Sequence, residues 1–576
     1  MMKDIYDPLT EYVNVFRDRF REVAKDTFAE LAAEAKIDVE TNRETCRKLY
    51  AMEGVLASVQ FRLRLLKVCS VVMWIGVAAG ILLVFLMKQE LSQNCKLCIA
   101  IASAVAAVLL LTLVHPYMKG LKGERCGLVD KVKALRDTAW DQMTPLNRLY
   151  DWDVLTRMMS KTVPRLEFDP YFTTQRLADL EVTYGWDGSF NEDRSVVYSH
   201  SGLINGNPFV ICRTKKMEME EKTYYGSKTI YWTTRERDSD GKYRTVQHSQ
   251  TLTASVTAPY PEYYEKTRLI YGNTAAPDLT FFRKKNGLAG KDNTLSYKWK
   301  KRQLKRKMRD LSRADFAMLT NEDFEVVFNT SNRNNNQQFA LLFTPLAQES
   351  MLKLLEDSEA GFGDDFDFKK YKMINTIISD HMQELDLDMN PKRYRSFDYD
   401  KAEKDFYTLN AAYFRAIYFC LAPLLCVPMY QQIRSHQDIY GRDMQQHSSF
   451  WEHEALANFW GIGYFKHPAC VTDCILKTTQ VGSGGDDTTI KVYAYGYRVQ
   501  QRLESVARFG GDGRWHSVPV YWDEYLPVTG TGQIYMQEDN DFQDSDITHS
   551  QRLAHINSVL DKADLDVYRR HIASRV

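Results

Sequence analysis

The sequence predicts an α+β membrane protein: an N-terminal transmembrane helical hairpin with a helical stalk, then a soluble region of mostly antiparallel sheet with flanking helices. Three observations support this prediction. They are two uncharged apolar runs, helical periodicity on either side of them, and β-rich runs separated by turn residues from about residue 182. The 576 residues are more than one ordinary hydrophobic core organises, so several units are expected.

The two apolar runs are the strongest signal in the chain. Residues 68–87 are 20 residues without a charge, VCSVVMWIGVAAGILLVFLM, and residues 97–114 are 18, LCIAIASAVAAVLLLTLV. At about 1.5 Å per residue, each run covers a hydrocarbon core of roughly 30 Å. Only nine residues separate them, which favours an antiparallel hairpin. The alternative is a pair of buried core helices, although core helices of this length usually carry a polar stripe.

Small residues lie along both runs: Gly76, Ala79 and Gly80 in the first, and Ala100, Ser103 and Ala106 in the second. Small faces let helix backbones approach closely, so these residues serve either packing within the hairpin or oligomerisation in the membrane. Neither run contains an acidic or basic residue, which argues against an ion pathway.

Positive charge flanks the outer ends of the hairpin, at Arg62, Arg64, Lys67, Lys119, Lys122 and Arg125. The short connection carries Lys88 and Lys96 against Glu90. Because positive flanks stay in the cytoplasm, both ends of the hairpin are expected there. The predicted localisation is therefore a bacterial inner membrane, as a multi-pass protein with cytoplasmic soluble domains.

Helical periodicity brackets the hairpin. Residues 1–67 are predicted to form an N-terminal helical stalk, because apolar residues such as Leu9, Val13, Phe16 and Phe20 recur at spacings of three and four. Residues 115–160 repeat this pattern and are predicted to form a second stalk helix, which Pro145 can kink.

Residues 161–400 are predicted to form an α+β soluble domain. Residues 205–208, Asn-Gly-Asn-Pro, are a turn signal, and residues 238–241, Asp-Ser-Asp-Gly, separate two β-rich runs at 229–236 and 243–256. Further β signal occurs at residues 325–328 and 338–343.

Residues 401–576 are predicted to form a C-terminal α+β domain with an apolar helix at 416–433. Pro423 and Pro428 interrupt that run, which favours a buried or interfacial helix over a third membrane span. A closing helix is predicted at residues 546–572.

Lys and Arg total 75, as do Asp and Glu, so the net charge is zero and a globally basic nucleic-acid binder is excluded. The charge is uneven, because residues 283–309 hold twelve bases and one acid, a net of +11. Candidate contacts to anionic lipid or an acidic partner are Lys298, Lys300, Lys301, Arg302, Lys305, Arg306, Lys307 and Arg309. Balance by acids elsewhere, such as those at residues 356–367, is the alternative, and nucleic acid is not the expected partner.

Signals for catalysis or metal binding are weak. His453, His467, Cys470 and Cys474 could assemble a zinc site, although small buried cysteines are the favoured interpretation of the last two. The C-x-x-C of Cys95 and Cys98 suits a local disulfide or two thiols. The chain lacks H-E-x-x-H, G-x-S-x-G, a P-loop and G-x-G-x-x-G, so no cofactor is predicted and an enzyme is not favoured.

Three short motifs follow the spans: SGLINGNPF at residues 201–209, EDFEVVF at 322–328 and FALLFTP at 339–345. With the two spans, they resemble a bacterial family of two-span membrane proteins of unknown function, sometimes mislabelled galanin-like. The similarity covers roughly residues 60–360. It implies the same topology and a cytoplasmic domain, and it supplies no reaction and no catalytic residues.

Together these features predict a membrane-anchored scaffold or interaction protein at the cytoplasmic face. Its expected partners are membrane lipid and either further copies of the chain or other membrane proteins. An oligomeric pore or gated membrane effector is the alternative. A metal-dependent enzyme with a site in residues 436–477 is the third hypothesis.

Overall fold

The computed structural model describes residues 5–86, 93–237, 242–309, 317–432, 447–484, 487–538, 565–568 and 571–575. The chain forms two compact units. The helical unit consists of Lys25–Tyr150 and Pro391–Leu409, and the sheet unit consists of Met1–Ala24, Asp151–Asn390 and Asn410–Val576. The predicted α+β class is confirmed, with N-terminal helices, two long apolar helices and a mostly antiparallel sheet region.

The described residues contain α-helices of very different lengths. They are α1 (Pro8–Glu11), α2 (Arg17–Ala35), α3 (Val39–Leu86), α4 (Gln93–Leu109), α5 (His115–Asn147), α6 (Val154–Thr162), α7 (Thr174–Ala178), α8 (Leu295–Arg309), α9 (Glu322–Phe328), α10 (Asn336–Leu342), α11 (Pro345–Glu356), α12 (His381–Glu384), α13 (Tyr399–Leu425) and α14 (Phe450–Trp460). π-helical turns at Tyr12–Phe16 and Leu110–Val114 join α1 to α2 and α4 to α5.

The strands form two sheets in the sheet unit. They are β1 (Leu166–Phe168), β2 (Arg194–Ile204), β3 (Asn207–Arg237), β4 (Tyr243–Gly272), β5 (Thr280–Arg283), β6 (Phe366–Tyr371), β7 (Ile374–Ser379), β8 (Ile475–Gly484), β9 (Asp487–Phe509), β10 (Trp515–Glu538), β11 (Leu565–Tyr568) and β12 (His571–Arg575). The seven-stranded sheet has the order β1-β2-β3-β4-β7-β6-β5, and the five-stranded sheet has the order β11-β12-β10-β9-β8.

In the helical unit, α3 runs beside α4 and α5 as a long hairpin. The 48 residues of α3 extend about 70 Å, more than twice a hydrocarbon thickness. Its buried residues include Leu49, Val59, Leu63, Ser70 and Val77, and recur at spacings built from three and four. A narrow seam therefore joins the helices, and most of their surface stays open.

The polar end of this hairpin is tied to residues 391–409. The Asn42 side chain donates to the Phe397 carbonyl at 3.0 Å and accepts the Tyr399 N–H at 3.0 Å. On the opposing helix, Asn147 exchanges two hydrogen bonds with the Ser396 backbone, at 2.9 and 3.1 Å. Amide side chains suit this position, because each both donates and accepts.

In the sheet unit, the predicted turn after β2 is confirmed. Asn205 and Gly206 join β2 to β3 with φ angles of 52° and 76°. Positive φ at both residues is the type I′ geometry that matches the twist of a two-residue hairpin, and Asn-Gly is its preferred sequence.

Two hairpins extend far beyond ordinary strand length. β3 and β4 contain 31 and 30 residues, so each spans about 100 Å at roughly 3.3 Å per residue. The β9–β10 hairpin packs face to face on their outer part, where Ile230 and Leu252 bury Val518 and Val520. A Cβ at Gly226 would lie 2.1 Å from the Pro519 carbonyl oxygen, so only glycine permits this approach. We call this two-layer structure the β-arm.

The predicted apolar helix at residues 416–433 is wrong in its bounds. The helix is Tyr399–Leu425, because Val427 has an extended backbone and Pro428 opens a separate 3₁₀ turn. Within the sheet unit, its aromatic residues pack on the N-terminal helix, where Phe20 and Phe414 stack with ring centroids 4.2 Å apart. Pro423 is accommodated inside this helix.

Three further predictions change. Residues 325–328 and 338–343 fall largely in the short helices α9 and α10, because the side chains of Asn321 and Asn335 cap their first turns. Of the predicted helix at 546–572, residues 546–564 lie outside the described residues, and β11 and the start of β12 occupy most of its C-terminal part.

Candidate membrane anchor and basic helix

The apolar half of the helical hairpin is largely uncovered. Among the residues that the structure describes, three helices are long and apolar enough to span a membrane. In the two hairpin helices, only 11% of the most apolar stretch is buried, whereas the figure for α13 is 72%. The exposed large side chains are Val68, Val71, Val72, Met73, Trp74, Ile75, Ile81, Leu82, Leu97, Ile101, Val105, Val108, Leu109, Leu111 and Leu113. So continuous an apolar surface is not expected to face water.

The small residues of the two runs fall into two groups. A Cβ at Gly80 would lie 2.5 Å from the Ser103 hydroxyl oxygen, so this pair forms a close contact between the two helices. At Gly76, by contrast, a Cβ would meet no atom within 4 Å. Packing within the hairpin therefore uses Gly80, while Gly76 lies on its open surface.

The basic helix α8 is anchored by its apolar side. Tyr297 and Leu304 are buried, and the Tyr297 hydroxyl donates to Asp323 at 2.6 Å. Lys301 lies 3.1 Å from both Glu322 and Asp323, and Lys305 lies 2.9 Å from Glu322. The hydrogen bond with Asp323 is the largest cause of the raised pKa of Lys301, which keeps this lysine charged.

The remaining candidate bases do not take part in this cluster. Lys307 donates to the Ser331 carbonyl. Lys298, Arg302, Arg306 and Arg309 are exposed and Lys300 is half-buried, and within the described residues none of these five forms an ion pair. We call Lys298, Arg302, Arg306 and Arg309 the basic face, because Lys300 lies towards the buried side of the helix.

Large apolar side chains border the basic face. Leu295 and Trp299 are 86% and 64% exposed, and Met308 is 47% exposed. Residues 295, 299, 302, 306 and 309 recur at spacings of four and three, which places them along one side of the helix. A helix that presents basic and large apolar side chains together has the composition of an interfacial helix.

The acidic segment at residues 356–367 balances the start of the basic run rather than α8. Arg283 is fully buried and pairs with Asp364, and it also donates to the Phe366 carbonyl. Lys285 pairs with Asp380. Some bases of the run therefore have intramolecular partners, whereas the basic face forms no ion pair within the described residues.

The four candidate metal ligands occupy different surroundings. His453 is buried in α14, where its Nε2 lies 3.0 Å from the Ser448 hydroxyl, while His467 is exposed. Cys470 and Cys474 are buried with their sulfur atoms 3.6 Å apart. Burial, followed by the contact with Cys470, raises the pKa of Cys474 to about 12. Within the part of the chain that the structure describes, no three His, Cys, Asp or Glu side chains form a metal-binding group.

The other predicted cysteine motif is described only in part. Cys98 is a free, exposed thiol. The side chain of Cys95 lies outside the described residues, as do residues 436–446 of the third hypothesis.

The sequence interpretation missed a buried ion pair in the sheet unit. Arg176 donates to both carboxylate oxygens of Asp169 at 2.9 Å, and the Ser201 hydroxyl donates to the same carboxylate at 2.6 Å. Burial would raise the pKa of Asp169, but the Arg176 charge and these hydrogen bonds outweigh it and hold the pKa below its usual value. No local motif indicates this pair, because its members lie on different elements.

It also missed a buried lysine in β6. The Lys370 ammonium donates to the carbonyls of Ala275 and Lys372, at 3.0 and 2.6 Å. Burial lowers the pKa of Lys370 to about 7. A signal was present, because alternation in β6 places Lys370 on the same face as the buried Phe366 and Phe368.

No protein family, curated protein or solved structure matches this chain. The functional argument therefore depends on the helical hairpin, the basic face and the surfaces of the sheet unit.

Proposed function

We propose that this protein is a membrane-anchored interaction protein. The apolar halves of α3 and of α4–α5 cross a lipid bilayer as a hairpin, and the soluble parts lie on its cytoplasmic side. The basic face of α8 contacts anionic lipid, and the β-arm presents a surface for other proteins.

The observation that carries the proposal is that the three apolar helices differ in how much of their apolar stretch the protein buries. An apolar helix is stable either inside a protein core or inside lipid. For α13 the protein supplies the core, with 72% of its apolar stretch buried. For the two hairpin helices it supplies only a seam, with 11% buried, so lipid is the environment that fits the rest.

Flanking charge supports the orientation. A two-span hairpin returns the chain to the side from which it left, so residues before α3 and after α5 share one compartment. Six basic residues flank the outer ends of the spans, against two in the connection. This asymmetry favours a cytoplasmic location for both soluble parts.

Protease access tests the topology of the full chain. A C-terminal epitope tag is expected to resist protease added to right-side-out cells and to be cut in inverted membrane vesicles. Cleavage from outside intact cells would contradict the cytoplasmic placement. Release of the protein by alkaline carbonate would contradict membrane insertion itself.

Lipid contact by the basic face has a separate test. Basic residues near an anionic surface contribute about 1 kcal/mol each, and the attraction falls as salt rises. In nanodiscs that contain phosphatidylglycerol, amide hydrogen exchange of residues 295–309 is expected to be slower than in pure phosphatidylcholine. The protection should weaken at high salt.

Matched variants separate charge from helix stability. A triple charge reversal, K298E with R302E and R306E, is expected to abolish the lipid-dependent protection. The charge-conserving variant K298R with R302K and R306K should keep it. Equal protection in both lipids for the unmodified protein would refute the contact.

Exposed aromatic residues on the β-arm support the interaction role. Tyr225, Tyr231, Tyr243 and Trp515 are 78%, 69%, 74% and 71% exposed. Tyr and Trp are enriched at protein interfaces, where they bury large area at low entropic cost. Co-purification from the native membrane is expected to lose partners in a Y231S, W515S variant. An unchanged set of partners would contradict a role for these residues.

An oligomeric pore is the second candidate. The observation that favours it is the open surface at Gly76, which would suit close contact with another copy. Cross-linking in detergent that yields a closed ring, together with ion leakage on overexpression, would favour the pore. A monomer in mild detergent would favour the anchor.

A further inference from the structure

Two arginines at the start of α2 and one from α13 meet at one cavity in the sheet unit. The cavity has a volume of about 300 Å³ and lies between the N-terminal helix and α13. Arg17, Arg21 and Arg415 line it, and Glu359 is the acidic residue in its wall.

The local fold holds these side chains in place. The π-helical turn Tyr12–Phe16 directly precedes Arg17, and such turns occur frequently at functional sites. The stacked rings of Phe20 and Phe414 form an apolar part of the wall. Arg415 donates to the carbonyls of residues 359–361 at 2.8 to 3.1 Å, which fixes its guanidinium group.

The lining residues leave the cavity positive. Three arginines against Glu359 give a net charge of +2. Asp18 pairs with Arg21 at 3.2 Å and lies 3.7 Å from Nε of Arg17, which reduces the excess to +1. Both partners of the Asp18–Arg21 pair are 62% exposed, so that pair contributes little and a ligand can compete with it.

Two details indicate that these arginines bind a ligand, rather than making all their interactions within the protein. Nε of Arg17 is buried and makes no hydrogen bond within the described residues. A buried donor without a hydrogen bond costs free energy, and the Asp18 carboxylate at 3.7 Å offsets only part of it, so a bound acceptor would gain the rest. Burial raises the pKa of the Tyr12 hydroxyl and the charges of Arg415, Arg17 and Arg21 oppose that rise, so all three arginines act on one group in the cavity wall.

We propose that this cavity binds a phosphate monoester attached to an apolar or flat group. The planar forks of Arg17 and Arg21 match the paired oxygens of a phosphate, and two negative charges suit three converging arginines. The rings of Tyr12, Phe20 and Phe414 supply the wall for the attached group. A soluble nucleotide and the headgroup of phosphatidate share this chemistry.

Calorimetry on the full chain in mild detergent tests the site with three probes: inorganic phosphate, adenosine monophosphate and a short-chain phosphatidate. Binding of either organic probe supports the proposal, and which of them binds identifies the source. Inorganic phosphate is expected to bind more weakly, because it lacks a group to contact the rings. If inorganic phosphate binds as tightly as either organic probe, the proposed contact between the attached group and the aromatic rings is overturned.

Variants locate the binding. Arg17→Gln with Arg21→Gln is expected to weaken binding by roughly tenfold or more, because each removes a charge-assisted hydrogen bond. Lys25→Gln, an exposed base one turn after Arg21 that does not line the cavity, is the matched control and should bind as the unmodified protein does. Circular dichroism and the melting temperature verify that the double variant is folded. No binding of either organic probe, or undiminished binding by a folded double variant, would overturn the proposal.

Discussion

Lys370 offers a quantitative test of the fold, because its ammonium group is buried and pairs with no carboxylate in the part of the chain that the structure describes. Its two hydrogen-bond acceptors are the carbonyls of Ala275 and Lys372. Replacing Lys370 by methionine keeps a long unbranched side chain and removes the ionisable group. The variant is expected to be more stable than the unmodified protein near neutral pH and to approach it in alkali.

The magnitude follows from the two pKa values of this lysine. Burial lowers the pKa from 10.5 to about 7 in the folded protein. Between these values the unfolded chain binds a proton that the folded protein lacks, so the stability contributed by Lys370 rises with pH. At about 1.36 kcal/mol per pKa unit, the penalty is about 4 kcal/mol at pH 7 and about 2 kcal/mol at pH 9.

Urea unfolding of the full chain in mild detergent, followed by tryptophan fluorescence, measures this difference. The free-energy gap between Lys370→Met and the unmodified protein is expected to change by about 2 kcal/mol between pH 7 and pH 9. Loss of the two hydrogen bonds changes the free energy of unfolding equally at pH 7 and pH 9, so this loss cancels when the two gaps are compared. Lys369→Met, an exposed neighbour on the same strand, is the control and should show a constant gap. A constant gap for Lys370→Met would refute the reasoning.

Two further substitutions test packing and charge. Gly80→Leu is expected to cost about 1–3 kcal/mol by forcing the two apolar helices apart at Ser103, whereas Gly76→Leu should leave the melting temperature in detergent unchanged. A lower melting temperature for Gly76→Leu as well would contradict the assignment of Gly80 to the helix contact. Arg333→Met is expected to cost about 3–5 kcal/mol, because it leaves the fully buried Glu325 carboxylate without its bidentate partner. Adding Glu325→Gln should restore part of that loss, and an equally unstable double variant would count against the ion pair as the cause.

The sequence predicted best where one interaction dominates. The two long apolar helices were identifiable because their uncharged runs are too long for ordinary strands, and the turn at Asn205 was identifiable because Asn-Gly favours positive φ. The short helices α9 and α10 were mistaken for strands, because runs of seven residues carry too little periodicity to separate the two. The caps Asn321 and Asn335 were the signals available to correct this.

Local sequence patterns could not predict the lengths of β3 and β4 or the positive cavity. Charged and polar residues dominate residues 213–228, so this stretch gives no β signal, and only its pairing with β4 makes β3 one continuous strand. The cavity depends on Arg17 and Arg415, nearly four hundred residues apart, and only the tertiary fold brings them together.

The great length of β3 and β4 leaves them open to unwanted pairing. Beyond Lys216, β3 pairs only with β4 among the described strands. The outer edges of β3 and β4 there carry backbone N–H and C=O groups that no third strand pairs with. Such edges invite another copy to add a strand, which leads to aggregation. Pro259 and Pro261 lie in β4 and carry no N–H, so this part of the strand has two fewer backbone donors. A strand pair as long and exposed as the β-arm therefore depends on such interruptions to limit growth into a fibre.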